Sequence, residues 1–315
     1  MIKKINLTNF KKHINFEQTI NSNVINIYGN NALGKTSILE AISLFSPGKN
    51  PFNNEIENSI NLNKDFFSIK IKTNHELALH YKNKKKEIII NQQKRNTLSS
   101  LEYIKIFTIT PFLSLAFWKD NSIKRKFIDK LILQNDSSYA NFFLNYTKAI
   151  KKKNELIQKN EWNNHWEYLN TLIKENGIEI TKIRNKILNV FQNNFKDKIE
   201  YFPNFEEQME IFHKPLSLFF EGPHKTKFNI IINNKSDKFA STAEQNTSLT
   251  NLIIAATKQI EEEKIFLLDD ISCLDQTNIK KKLKTLQDNN IQTWITGTNK
   301  LNIDSVQNVK LKSTT

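Results

Sequence analysis

The chain has 315 residues, of which 38% are hydrophobic, and it carries 46 lysines and arginines against 32 aspartates and glutamates. A chain of this length and apolar content can bury a core in one large domain or in two. Its single cysteine, Cys273, excludes an internal disulfide framework and a zinc site built from cysteines. No apolar run reaches membrane-spanning length and no secretory signal follows Met1, so we expect a cytoplasmic protein with no membrane contact.

The net charge of +14 has two interpretations. It suits a polyanionic partner such as DNA, because basic surfaces bind phosphate backbones. It is also typical of the Asn-, Lys- and Ile-rich composition that an AT-rich genome produces without selection for binding. Charge alone leaves both interpretations open.

Residues 1–45 predict two strands, a turn and a helix. The stretches IKKINLTNF and VINIYG are rich in β-branched and apolar residues, which favour strands. After these strands, the side chains of Ile38, Ile42 and Phe45 recur with the spacing of one helix face. Residues 66–110 then predict short strands, with a cluster of lysines at a hairpin turn.

Residues 114–200 contain no proline, and their apolar side chains show helical spacing. Strand patterns return after Pro203, followed by a helix, the strand KIFLLDD, a second helix and a last strand, QTWITGT. The sequence therefore predicts an α/β fold with two parts. Residues 1–112 and 201–315 form one α/β domain, and a mostly helical lobe of residues 113–200 interrupts it.

The most specific motif is a glycine-rich loop between VINIYG and the first helix. It follows the pattern G-x-x-x-x-G-K-[ST] and contains two of only six glycines in the chain. In such loops backbone N–H groups surround a nucleotide phosphate, the lysine reaches the β- and γ-phosphates, and the threonine hydroxyl ligates Mg²⁺. We therefore predict ATP and Mg²⁺ as cofactors. The predicted binding residues of the loop are Gly29, Asn30, Asn31, Ala32, Leu33, Gly34, Lys35, Thr36 and Ser37.

Two carboxylates follow the apolar stretch KIFLL. Behind a phosphate loop, Asp269 would hold Mg²⁺ through water, and Asp270 would act as the general base on the attacking water. A buried strand that meets a polar turn gives the same pattern. The preceding phosphate loop is what favours the catalytic interpretation.

Ser241 and Glu244 precede a helix with a regular apolar stripe. The spacing S-x-x-E is a capping box, which by itself explains both residues. The surrounding ASTAEQ also resembles the S-x-G-E-Q signature of ABC-type ATPases. In those proteins the serine and the helix N-terminus bind the γ-phosphate held by a second subunit.

Taken in order along nearly the whole chain, these segments resemble the RecF family, the ABC/Rad50-like ATPases of bacterial recombinational repair. The resemblance rests on LTNFKK, GNNALGKTSILEAISLFSPGK, TPFLS with IKRKFIDKLI, GPHKTKF and WITGT. Five of the six glycines fall inside these segments. This fold would be an ABC-type ATPase head, a phosphate-loop NTPase, with an inserted helical lobe.

The resemblance implies a mechanism. ATP would lie between the phosphate loop of one subunit and the signature helix of another, and would close a homodimer that clamps duplex DNA next to a single-stranded gap. Slow hydrolysis would release the DNA, and RecO and RecR would be partners in loading RecA. The resemblance adds nucleotide-binding residues outside the loop, one of which replaces the family's arginine and one of which belongs to a D-loop. They are Lys11, Ser241, Ala243, Glu244 and Asp275.

Two lysine-rich stretches, 124–126 and 151–153, are candidates for DNA contacts. Each also suits a solvated helix face, which is the commoner role of such a stretch. His224, in GPHKTKF, favours a structural role over a functional one.

The chain departs from the family's pattern at several positions. Ala32 and Ala243 stand where glycine is usual, and Phe112 stands where a glutamine commonly contacts the metal. An alanine costs about 1 kcal/mol wherever the backbone must adopt a positive φ. These changes favour retained nucleotide binding with slow turnover. The alternatives are an interaction module that has lost the ATP cycle, and another SMC- or Rad50-type ATPase, which the lack of a long heptad-bearing insert disfavours.

Overall fold

The computed structural model of the protein describes residues 1–159, 165–201, 222–270 and 279–312. The chain forms two compact units. The first unit consists of Met1–Leu115 and Thr257–Thr315, and the second of Ala116–Ala256. None of the helices in the described ranges is long and apolar enough to cross a bilayer.

The first unit contains a six-stranded antiparallel sheet in the order β2-β1-β4-β5-β6-β7. Strands β1 and β5 alternate buried and more exposed side chains, because one face of the sheet packs on the core and the other meets water. The bounds are β1 (Lys4–Phe10), β2 (His13–Thr19), β4 (Phe66–Lys72), β5 (Glu76–Lys82), β6 (Lys85–Ile90) and β7 (Gln93–Arg95).

The first unit also contains a five-stranded parallel sheet in the order β14-β3-β13-β12-β8. Strands β8 and β13 are buried along their whole length, as is usual in parallel sheets, whose two faces are both covered. In such sheets ligands bind at the carboxyl ends of the strands. The bounds are β3 (Val24–Tyr28), β8 (Ile104–Ile109), β12 (Glu263–Leu268), β13 (Ile291–Gly297) and β14 (Val306–Lys310).

Strand β14 corrects the prediction that QTWITGT is the last strand. The sequence VQNVK buries only Val306 and Val309, and its other residues are polar or charged. This alternation is too short and too polar to stand out from a loop in the sequence. The strand forms because it pairs in parallel with β3 at the edge of the sheet.

Helix α1 (Lys35–Ser43) follows β3 in the first unit, and every residue from Ser37 to Ser43 is buried. The sequence predicts this helix from its amphipathic spacing. The helix is buried on more than its apolar face because it packs against strands of both sheets. The first unit also contains α7 (Ile279–Asp288), which buries Leu283 and Leu286. Helix α2 (Pro111–Lys119) crosses the division between the units.

The second unit combines helices with a small antiparallel sheet in the order β11-β10-β9. The helices are α3 (Asn121–Asn135), α4 (Tyr139–Gln158), α5 (His165–Asn194) and α6 (Thr242–Thr257). The strands are β9 (Lys198–Tyr201), β10 (Phe228–Ile232) and β11 (Lys235–Ser236).

The second unit is larger than the helical lobe of residues 113–200 that the sequence predicted, since it continues to Ala256. Two observations give the physical reason. Strand β9 pairs with β10, which lies beyond residue 200. In addition, Lys124 of α3 forms a buried ion pair with Asp237, just before α6.

Candidate nucleotide-binding site

The glycine-rich loop between β3 and α1 needs glycine at both ends. Gly29 has φ +142°, and a Cβ there would lie 2.9 Å from the carbonyl oxygen of Leu311. Gly34 has φ +89°, and a Cβ there would lie 2.7 Å from Nε2 of His13. Both the backbone conformation and the close approach therefore exclude larger residues, which explains why these two glycines are kept in a chain so poor in glycine.

The two alanines that replace glycine differ in their backbone. Ala32 has φ +67°, a left-handed conformation that costs an alanine about 1 kcal/mol relative to glycine. Ala243 lies in the first turn of α6, where the backbone is helical and alanine is favourable. The free-energy cost that the sequence predicts for an alanine at a positive φ therefore arises at Ala32 and not at Ala243.

Lys35 begins α1 and turns back over the loop. Its Nζ donates hydrogen bonds to the carbonyl oxygens of Gly29 and Asn30, both at 2.8 Å. These acceptors are neutral dipoles, and no carboxylate of the described residues forms an ion pair with Lys35. The ammonium thus holds the loop closed while its charge stays available for an anion.

Asp269 lies at the carboxyl end of β12, and its Oδ1 accepts hydrogen bonds from two hydroxyl groups. The donors are Oγ1 of Thr36 and Oγ1 of Thr296, each at 2.8 Å. Burial raises the pKa of the Asp269 carboxyl above its usual range. The structure therefore brings together the two residues that the sequence predicted as metal ligands.

Mg²⁺ suits this pair. It keeps several waters and takes its remaining ligands from one or two protein oxygens and from substrate phosphates. Thr36 and Asp269 offer such oxygens 2.8 Å apart. No group of three or more His, Cys, Asp or Glu side chains in the described ranges forms a protein-only metal cage.

Asp270 is exposed and has φ +68°, so its backbone turns sharply after the strand. Its N–H donates to Oγ1 of Thr296 at 2.8 Å. Thr296 therefore bonds both members of the Asp-Asp pair, to the side chain of Asp269 and to the backbone of Asp270. Sequence reasoning missed Thr296, although its place at the end of a predicted strand was a signal.

These groups line one cavity of about 1340 Å³ within the first unit. The lining includes most of the phosphate loop from residue 31 to residue 37, the Asp-Asp pair, residues 60–62, residues 296–299 and residues 301–303. The volume exceeds the usual range for pockets of drug-sized ligands, and the lining includes the charged side chains of Lys11, Lys12, Lys35, Asp269 and Asp270.

Lys11 lines the same cavity, but its ammonium contacts the carboxylate of Glu40 in α1. Glu40 is wholly buried, and it also accepts hydrogen bonds from the side-chain amides of Asn50 at 2.8 Å and Asn54 at 3.1 Å. The charge of Lys11 is therefore compensated inside the protein. Its assignment as a nucleotide-binding residue stays a prediction from the resemblance.

Ser241 and Glu244 form the capping box at the start of α6. The Glu244 carboxylate accepts from the backbone N–H and the hydroxyl of Ser241, both at 2.8 Å, and the Ser241 hydroxyl accepts from the N–H of Glu244 at 3.3 Å. Ser241, Ala243 and Glu244 are exposed and belong to the second unit. Asp275, the D-loop residue, lies outside the described residues.

Two of the lysines proposed for DNA contacts are buried, so that prediction is wrong for them. Lys124 is paired with Asp237. Lys153 donates to Oδ1 of Asn170 at 2.9 Å, and its Nζ lies 4.6 Å from the ring centroid of Trp166. Both stretches follow helical spacing, so one lysine of each faces inward. The exposed members are Lys126, Lys151 and Lys152.

His224 is half-buried in a polar network of the second unit. Its Nδ1 is 2.8 Å from the hydroxyl of Tyr146, and burial lowers its pKa to about 4. The adjacent Pro223 carbonyl accepts from Nη1 of Arg184 at 2.8 Å. These contacts support the structural role. Phe112, by contrast, is 54% exposed and offers no polar group to a metal.

No protein-family model matches the chain. Curated relatives do match it along nearly its full length. The chain is 28% identical to the DNA replication and repair protein RecF of Natranaerobius thermophilus, across 98% of this chain and 93% of that protein. It is 26% identical to the protein of the same name from Rickettsia typhi, across 99% of this chain and 97% of the relative.

Solved structures show the same fold. The recombination mediator protein RecF-ATPrS in the RecFOR pathway superimposes with a TM-score of 0.83 at 24% identity, covering 99% of this chain and 96% of that one. The Smc head domain from Pyrococcus furiosus, bound to the C-terminal domain of ScpA, superimposes with a TM-score of 0.57 at 15% identity, covering 99% and 94%. The predicted α/β fold is confirmed, since the chain shares it with the RecF and Smc head structures, and the resemblance to RecF is confirmed by the named relatives.

Proposed function

We infer that the chain is a RecF-type protein, and on that premise we propose that it is an ATP-binding DNA replication and repair protein of the RecFOR pathway. One observation carries the nucleotide part of the proposal. A phosphate loop with two irreplaceable glycines faces the Asp269 carboxylate, which is bonded to Thr36 of the loop. This arrangement supports ATP as the ligand, as the RecF-ATP neighbour does by its name.

Different groups of the site would bind different parts of ATP-Mg²⁺. The backbone N–H groups at the start of α1 would donate to phosphate oxygens, with the positive end of the helix dipole behind them. Lys35 would exchange its carbonyl acceptors for phosphate oxygens, whose negative charge attracts the ammonium more strongly than a carbonyl dipole does. Thr36 and Asp269 would hold Mg²⁺, which when bound neutralises charge on the β- and γ-phosphates.

Hydrolysis would be slow. Asp270 is the candidate for accepting a proton from the attacking water, and its exposed carboxylate is one methylene shorter than the usual glutamate. Ala32 sits in a left-handed conformation that glycine would adopt more easily. Both features support a protein whose main output is binding rather than turnover.

The signature helix of a second copy would complete the site. Ser241 is exposed at the start of α6, so it is open to a neighbouring subunit. We therefore propose an ATP-dependent homodimer that binds duplex DNA beside single-stranded gaps, with RecO and RecR as partners. The net charge of +14 supports contact with a phosphate backbone.

Sedimentation of the full chain tests this proposal. With ATP-Mg²⁺ and a gapped duplex we expect a complex that contains two copies of the 36.9 kDa chain, and without nucleotide we expect a monomer. Ser241→Ala should still bind ATP but should stay monomeric. A chain that binds ATP yet remains monomeric with every DNA would contradict the dimer, and a chain that binds no ATP would contradict the nucleotide assignment.

A further inference from the structure

Two adjacent lysines form the turn between β1 and β2, and their side chains have different partners. Lys11 contacts the buried carboxylate of Glu40. Lys12 Nζ donates to the carbonyl oxygen of Ala32, in the phosphate loop, at 2.7 Å. The positive charge of Lys11 therefore has a negative partner, whereas that of Lys12 has a neutral dipole.

The turn that carries Lys12 is anchored beside the phosphate loop. The backbone N–H of Lys11 donates to the carbonyl oxygen of Ser59 at 2.8 Å. On the other side of the turn, Nε2 of the buried His13 lies 3.0 Å from the carbonyl oxygen of Gly34. Because both flanks are fixed, the backbone of the turn is already ordered, and binding an anion in the cavity orders only the side chain of Lys12.

Lys12 and Lys35 have the same electrostatic status. Both line the cavity, and both donate to main-chain carbonyl oxygens of the phosphate loop. Neither forms an ion pair with a carboxylate of the described residues. A cation held beside a phosphate loop without an anionic partner gains from a phosphate oxygen, because the attraction between two opposite charges is stronger than that between a charge and a carbonyl dipole.

We propose, on the premise that the cavity binds ATP, that Lys12 is a second phosphate-binding cation of the site beside Lys35. A phosphate oxygen replaces the Ala32 carbonyl as the acceptor of its Nζ. Lys11, the residue that the resemblance assigns to the nucleotide, instead stabilises α1 through Glu40. The ligand class is a nucleoside polyphosphate, and Lys12, rather than the adjacent Lys11, supplies the positive charge from this turn.

Equilibrium binding of ATP-Mg²⁺ to the full chain tests the proposal. Lys12→Met keeps the aliphatic stem and removes the charge, so we expect at least about a ten-fold weaker Kd, equivalent to about 1.4 kcal/mol. Lys12→Arg should stay within about three-fold of wild type, since it keeps the positive charge that attracts the phosphate. Lys64→Met removes an exposed charge of the same unit outside the cavity lining and is the matched control.

Lys12 could affect ATP binding only by stabilising the left-handed backbone of Ala32. Combining Lys12→Met with Ala32→Gly separates this structural effect from a phosphate contact. In Ala32→Gly the backbone no longer needs the hydrogen bond from Lys12. If Lys12 binds phosphate, Lys12→Met weakens ATP binding as much in this background as in wild type. Recovery of affinity there would overturn the proposal.

The loss should depend on the phosphates. Lys12→Met should weaken binding of ATP more than that of AMP, and it should flatten the salt dependence of the ATP Kd. Lys11→Met should lower thermal stability and weaken ATP binding less than Lys12→Met does. A larger loss of affinity in Lys11→Met, or a Lys12→Met Kd within two-fold of wild type, would overturn the proposal. Failure of wild type to bind ATP would instead overturn the proposed function.

Discussion

Two charged clusters, one in each unit, differ in the groups that accept hydrogen bonds from their cations. In the second unit Arg184 is 0% exposed, and its guanidinium forms two hydrogen bonds with the carboxylate of Asp129, at 3.0 and 2.9 Å. Tyr139 donates to the same carboxylate at 2.8 Å. In the first unit Lys35 and Lys12 donate to neutral carbonyls at the wall of an open cavity.

The difference separates structural charges from charges that await a ligand. Burial raises the pKa of the Asp129 carboxyl, so its ionised form depends on Arg184 and Tyr139. Lys35 and Lys12 lie at the cavity wall and form no ion pair with a carboxylate of the described residues, so neither compensates a buried charge. A substitution in the Arg184 cluster should therefore change the free energy of unfolding. A substitution of Lys35 or Lys12 should change the affinity for ATP.

The largest effect is expected at Arg184. Arg184→Met leaves Asp129 buried without its ionic partner, which should cost about 3–5 kcal/mol of unfolding free energy. Lys182→Met removes an exposed ion pair with Glu179 and should cost less than about 0.5 kcal/mol. Urea denaturation followed by far-UV circular dichroism measures both. Equal stabilities of the two variants would contradict the structural role of the Arg184 cluster.

Lys35→Ala should give the converse result. We expect ATP binding to weaken by about 100-fold or more, about 2.7 kcal/mol, because the ammonium loses its contact with the phosphates. The unfolding free energy should change by about 1–2 kcal/mol, less than in Arg184→Met, since only two loop hydrogen bonds are lost and no buried charge is left unpaired. Fluorescent-nucleotide titration and denaturation of the same sample would show whether the two effects separate as expected.

Asp269→Asn should raise the Mg²⁺ concentration needed for half-maximal ATP binding by about ten-fold, because a neutral amide is a poor Mg²⁺ ligand. It should also stabilise the nucleotide-free protein at pH 7. Burial raises the pKa of Asp269, so ionisation costs stability above the folded-state pKa and costs nothing below the unfolded-state pKa of about 3.9. The difference in melting temperature between variant and wild type should therefore shrink toward about pH 3. A constant difference across this range would show that ionisation of Asp269 is not its cause.

The smallest effect is expected at Ala32. Ala32 has φ +67°, which glycine adopts without strain. Ala32→Gly should therefore raise the stability of the loop by up to about 1 kcal/mol. We expect up to about five-fold tighter ATP binding as a result. Ala243→Gly is the matched control, because α6 is helical there and glycine should destabilise it by about 0.5–1 kcal/mol. Opposite signs at the two positions are the expected outcome.

The phosphate loop and the Asp-Asp pair were predictable from sequence because their chemistry is local. Consecutive residues between a strand and a helix form the loop, and Asp269 follows an apolar strand whose neighbours are parallel. The partnership of Lys11 with Glu40 was not predictable, since 29 residues separate them and only packing brings them together. The same holds for Lys124 and Asp237, which turned a candidate DNA contact into a buried ion pair.

Calorimetric titration of ATP-Mg²⁺ into the full wild-type chain shows whether the phosphate loop binds the nucleotide. We expect one saturable site per chain, with a Kd in the micromolar range that weakens by about 100-fold in Lys35→Ala. Absence of binding heat across a range of temperatures, with the chain folded by circular dichroism, would contradict this expectation.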